Sequence, residues 1–163
     1  MHDGGVLALL AATRYQSLLL LHILAAMVWL GGLVVLTALG AHVVRIGERD
    51  AVTRFVGSLR TVGPFVLAPA TIAVLGFGIW LVIDSDTWDF GQTWIDLAFA
   101  LFGAAFLIGA VFQSRTAISA QRAAASGNHD EVARQLRRWL WGMRLILLLL
   151  VVITWDMVIK PGL

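Results

Sequence analysis

His22 makes the strongest chemical demand in this sequence. It opens "HILAAMVWLGG", residues 22–32, and stands seven positions before Trp29, so both side chains share one helix face. An imidazole can ligate a metal, carry a proton or tie two helices together. Near the other end, "TWDMVIKPG" supplies Asp156 and Met157 at a comparable outer depth. Asp156 would orient the imidazole through a hydrogen bond; Met157 would offer a thioether opposite it on a haem iron. Two readings stay open for His22. One is an interhelical hydrogen bond, worth roughly 0.6–2 kcal/mol in membranes. The other is an axial haem ligand, with Trp29 lining the macrocycle and a second His22 from a homodimer as the other possible ligand. Ala26, Leu33, Leu36 and Gly40 continue this face at helical spacing.

Other site chemistries find little material. His42 lies twenty positions from His22, roughly 30 Å along a helix, so the two cannot share one metal within a chain. His2 belongs to an exposed tail and His129 to a turn, and no H-x-x-x-H pair occurs. A zinc or di-iron centre, which needs three or four convergent ligands, is not expected. The sequence has no P-loop, nucleophile elbow or H-E-x-x-H, and no cysteine. Asp84, Asp86 and Asp89 sit in a short acidic loop that could hold a cation, or simply mark the side left poor in basic residues.

The elements that must position His22 are membrane helices. The chain is 60% hydrophobic and 13% charged, far from the roughly 25% charged residues of soluble domains. A net charge of +2 gives no reason to expect nucleic acid. Four apolar runs, 16–44, 62–83, 94–113 and 139–159, each reach the roughly 20 residues that cross a bilayer as a helix. The expected fold is a single all-α membrane domain, an up-and-down bundle of four transmembrane helices.

Basic residues set the orientation. Arg45, Arg49, Arg54 and Arg60 fall in or beside loop 45–61; Arg115, Arg122, Arg134, Arg137 and Arg138 fall in loop 114–138. Arg14 and Lys160 stand on the other side, with the acidic loop 84–93. The positive-inside rule puts the arginine loops in the cytoplasm and both termini outside. Trp80, Trp88, Trp94 and Trp155 are expected at the outer interface, Trp139 and Trp141 at the inner one. The first sixteen residues read as an uncleaved, partly apolar surface segment.

The cytoplasmic loops are expected to be helical. Val52, Phe55, Val56 and Leu59 recur at helical spacing, in a stretch that lies on anionic lipid or extends span two. Span three should run on to a break at "SGN", where Asn128 and Glu131 have capping-box spacing. Gly31, Gly32, Gly40, Gly76, Gly78, Ala105 and Gly109 are expected where helices approach closely. Pro69 should kink span two or leave a carbonyl free.

On these residues a family resemblance follows. "LHILAAMVWLGGLVVL", Arg54–Phe55 before span two and "TWDMVIKPG" resemble CopD-related bacterial membrane proteins, and most closely a four-span branch described as predicted integral membrane protein. The first helix is also similar to HemJ-type protoporphyrinogen oxidases. The resemblance implies a multi-pass protein of the bacterial inner membrane with a haem b- or porphyrin-linked role centred on His22. Copper handling, or a structural or assembly subunit of a larger membrane complex, are the alternatives. Cu(I) favours thiolate and thioether ligands, and the chain offers only Met1, Met27, Met143 and Met157.

Overall fold

The computed structural model describes residues 3–162, with side chains from Thr13 onward; His2 lies outside the described residues. Among the described residues six α-helices follow one another: α1 Asp3–Ile46, α2 Arg49–Val62, α3 Ala68–Ile83, α4 Thr93–Leu107, α5 Ser114–Ala125 and α6 His129–Ile159. Two π-helical turns, Gly63–Leu67 and Ile108–Gln113, weld α2 to α3 and α4 to α5. The result is four rods, each with a stretch long and apolar enough to cross a membrane. No strand occurs among the described residues. Lipid explains the choice of helix, because only internally satisfied backbones tolerate hydrocarbon.

The segment before span one is helical and continuous with it, since α1 starts at Asp3. Nothing in it breaks a helix strongly enough to stop the propagation that α1 offers. The arginine-rich loops are helical, as the spacing foretold, and what remains between rods is short. Gly47 and Gly127, both at φ +72°, make the turns after α1 and α5. Asn128 caps α6 by accepting from the Glu131 N–H at 3.1 Å. The reciprocal half of the capping box is absent: the Glu131 carboxylate accepts from Arg134 and Gln135. Those hydrogen bonds, the Gln135 one foremost, hold the Glu131 carboxyl below its ordinary pKa.

Packing runs in the order α3, α1, α6, α4, with α2 against α5 at the basic end. α6 is the central post: Leu136, Leu140, Met143, Ile146, Leu150 and Ile153 are buried at helical spacing. Trp29, Leu33 and Leu36 of α1, Val74 of α3 and Ala105 of α4 complete the core. The outer faces are apolar too, with Leu20, Met27, Ile72, Leu148 and Val158 exposed. That pattern suits a bundle whose solvent is lipid. The α2 stretch extends span two, and Phe55 meets Trp139 edge-on at 5.8 Å. Trp139 is therefore a core residue instead of an inner-interface anchor; Trp141, 71% exposed, takes the surface position.

Pro69 lies just after the first π turn. A proline clashes with the carbonyl four residues back, and here the ladder lengthens, with the Ala68 N–H reaching the Gly63 carbonyl. The glycines divide. A Cβ on Gly32 would meet Leu67 at 2.8 Å, and one on Gly40 would meet Phe55 at 3.0 Å. Gly31 and Gly76 face open space and take no part in packing within the chain. Gly142 is the closest approach that the spacing did not single out: its Cβ would stand 2.7 Å from Gln113 Oε1 and 2.9 Å from the Phe112 ring. Gly142→Ala should therefore lower the unfolding temperature in detergent, at a cost of about 1–3 kcal/mol. Gly76→Ala, with no neighbour to strike, should leave it unchanged or raise it slightly; equal losses in both variants would contradict this packing.

Candidate functional site

His22 sits on the α1 stripe that faces α3. Its Nδ1 lies 3.0 Å from the backbone carbonyl oxygen of Val74. A carbonyl only accepts, so Nδ1 carries the proton and Nε2 keeps its lone pair. The same carbonyl takes the Gly78 N–H in α-helical register, and Gly78 makes room for the ring. A Cβ there would stand 3.2 Å from His22 Cε1 and 3.5 Å from Nδ1. The imidazole is half-buried. Gly78, read from sequence as a packing residue, is thus the seat of the histidine.

The residues grouped with His22 on sequence grounds are placed differently. Trp29 is 6% exposed and its ring packs on Phe102 at 5.4 Å, inside the core. Asp156 is fully buried, and neither carboxylate oxygen has a hydrogen-bond partner among the described residues. The expected His22–Asp156 hydrogen bond is therefore not made, because the Val74 carbonyl already takes the imidazole proton. Met157 follows Asp156 by one residue, about 100° around the helix, and is exposed on the outer surface of α6. His42 and His129 are exposed. Among the described residues no group of three or more His, Cys, Asp or Glu could hold a metal ion.

The outer end is tied by its own charges. Arg14 donates to both Asp84 oxygens, Nε at 3.1 Å from Oδ2, which joins α1 to the end of α3. Asp84 is thereby committed, and the acidic loop does not gather into a cation site among the described residues. Lys160 ends α6 in the left-handed conformation, φ 49°, and its Nζ lies 4.0 Å above the Trp88 ring. Trp88 meets Trp94 edge-on at 5.2 Å, so the ammonium rests on an aromatic pair. Lys160 stands four residues after Asp156 but turns to the tryptophans, which leaves the carboxyl group alone.

A second buried polar group escaped the sequence reading. Gln113, 7% exposed, closes the π turn in α4–α5, and both its amide atoms lack partners among the described residues. Its place at the end of an apolar run made it look like a span boundary. The usable signal was Gly142, whose missing side chain admits it.

Four rods with lipid-compatible faces, a half-buried histidine held by a carbonyl and buried carboxyl and carboxamide groups define a polytopic integral membrane protein. The pattern of the family described as "Predicted integral membrane protein (DUF2269)" matches residues 16–161, and the chain belongs to that family. Neither the curated proteins nor the solved structures contain a match.

The His22 seat has a direct test. His22→Ala and Gly78→Val should each destabilise the detergent-solubilised protein, and the double variant should cost about 0.5–1 kcal/mol less than their sum. Strict additivity would mean that Gly78 does not act through the imidazole.

Proposed function

We propose that this chain is a haem- or porphyrin-linked protein of the bacterial inner membrane, in which His22 offers Nε2 to the iron of a b-type haem. The observation that carries the reading is the Nδ1–H to Val74 carbonyl hydrogen bond. Metal-ligating histidines characteristically give their other ring N–H to a carbonyl or carboxylate, which fixes tautomer and ring orientation and raises ligand basicity. Here the acceptor is a helix backbone, a fixed object, and the half-buried ring lies about two helical turns inside the Arg14–Asp84 pair that ties the end of the bundle. When bound, haem would supply one-electron chemistry; the chain's contribution is a single oriented ligand.

Of the residues grouped with it, only His22 is in a ligand-like position. Met157 points outward and Trp29 belongs to the core. Any second protein ligand would then be His22 of another copy across a homodimer. The resemblance to HemJ-type proteins supports a porphyrin; its oxidation, which in those proteins depends on a lysine in a later helix, has less behind it, since Lys160 is the sole lysine, ends α6 and sits on Trp88.

A non-catalytic structural or assembly subunit is the second reading. It is favoured by the failure of Trp29, Asp156 and Met157 to converge on the histidine, and by Gly31, whose bare backbone faces outward. Copper handling has less behind it: Met27 and Met157 are exposed on different helices and Met143 is in the core.

Purification from haem-replete cells, followed by an absorption spectrum, separates these readings. The haem reading expects a Soret band that His22→Ala abolishes while the fold survives. A colourless, folded wild-type protein, or a band indifferent to His22→Ala, would favour the structural subunit.

A further inference from the structure

A groove of about 520 Å³ runs between the π turn of the third rod and α6, toward the basic end of the bundle. Its walls are Ile108, Phe112, Leu145 and Leu148, and Gly142 lies at its floor. Two residues on its rim are not simply apolar, Trp141 and Arg144. We propose that this groove binds an anionic phospholipid of the leaflet at the basic end, with an acyl chain in the apolar channel and the phosphate on Arg144.

Depth is the first argument. Arg144 precedes Lys160 by sixteen positions, roughly 24 Å of helix at 1.5 Å per residue. The hydrocarbon layer is about 30 Å thick. With Lys160 at one interface, the Arg144 backbone lies inside the other by about a helical turn. A guanidinium there needs an anion or a route to the headgroups, yet Arg144 makes no ion pair or hydrogen bond among the described residues. Glu131, an acid on the same helix, is taken by Arg134 and Gln135.

Charge is the second argument, and it selects among lipids. Arg137 stands one turn before Trp141 and two before Arg144, so the three share one exposed stripe of α6. Arg115 follows Phe112 by three residues on the facing rod and is also exposed. A lipid rising along the channel meets Arg144 first and then reaches a mouth lined by arginines. Such basic pockets between helices suit anionic headgroups, whereas a choline headgroup would set its ammonium among them. The Trp141 indole, 71% exposed, can donate its N–H at the same level.

Shape is the third. A side chain at position 142 would push Gln113 and Phe112 away from α6. The π turn sets Ile108 and Phe112 on the groove wall, and such turns often mark functional sites. The groove thus exists because two local departures from a regular helix pair coincide.

The test uses the detergent-purified full chain, equilibrated with equimolar phosphatidylglycerol and phosphatidylcholine of matched acyl chains. Native mass spectrometry should show phosphatidylglycerol retained about fivefold over phosphatidylcholine, the preference expected of one arginine near the headgroups. R144Q should abolish the preference, while R60Q, on α2, should not. Brominated phosphatidylglycerol should quench tryptophan fluorescence, and less so in W141F, a measurement that serves even if R144Q does not fold. Equal retention of the two lipids by the wild type would overturn the proposal. So would a preference that survives R144Q, or a homodimer that R144Q dissociates without any change in lipid selectivity.

Discussion

A polar group in hydrocarbon has no water to fall back on, and every feature of this protein answers to that constraint. It forces the backbone into helices wherever the chain crosses the membrane. Hydroxyl groups obey it by folding back: Thr37 donates to the Leu33 carbonyl, Thr71 to Leu67 and Thr154 to Leu150. His22 obeys it by crossing to another helix. Its proton goes to Val74, so one side chain both satisfies itself and ties α1 to α3.

The same constraint makes the exceptions informative. Asp156 and Gln113 are buried without partners among the described residues, in a bundle where each lost hydrogen bond costs about 1–3 kcal/mol. Arg144 is exposed and makes no ion pair or hydrogen bond among the described residues. These three and His22 are the points at which the bundle is not closed upon itself. Their distribution is not random: His22 and Asp156 lie toward the acidic end, Gln113 and Arg144 toward the basic end. A ligand on His22 and an anionic headgroup on Arg144 would answer two of these four groups without altering the packing of α6 against its neighbours.

Much of this was legible in the sequence, for a physical reason. Span number follows from hydrophobic runs, and helical extension of the arginine loops follows from the period of Val52, Phe55, Val56 and Leu59. Composition alone therefore constrains a membrane bundle tightly. Contacts between rods were less legible. Depth put His22 level with Asp156, but depth along an axis says nothing about rotation around it, and the acceptor proved to be a backbone carbonyl, which carries no side-chain signature. Trp139 and Trp141, two residues apart, were indistinguishable as interface anchors until the α2 extension covered one of them. Gly31 and Gly32 form a pair in the sequence yet face different surroundings, Gly32 against Leu67 and Gly31 outward. The groove at Gly142 depends on a π turn that no residue pattern announced.

The central claim is that the imidazole of His22 is oriented by a backbone acceptor, and the most direct test reads its tautomer. Nitrogen-15 solid-state NMR of the histidine-labelled protein in bilayers, at about pH 8 and thus above the usual imidazole range, reports which ring nitrogen bears the proton. Comparison with a histidine-substituted His22→Gln variant assigns the signal. The account predicts a proton on Nδ1 and a bare Nε2. A proton found on Nε2 instead would contradict both the Val74 hydrogen bond and the ligand role built on it.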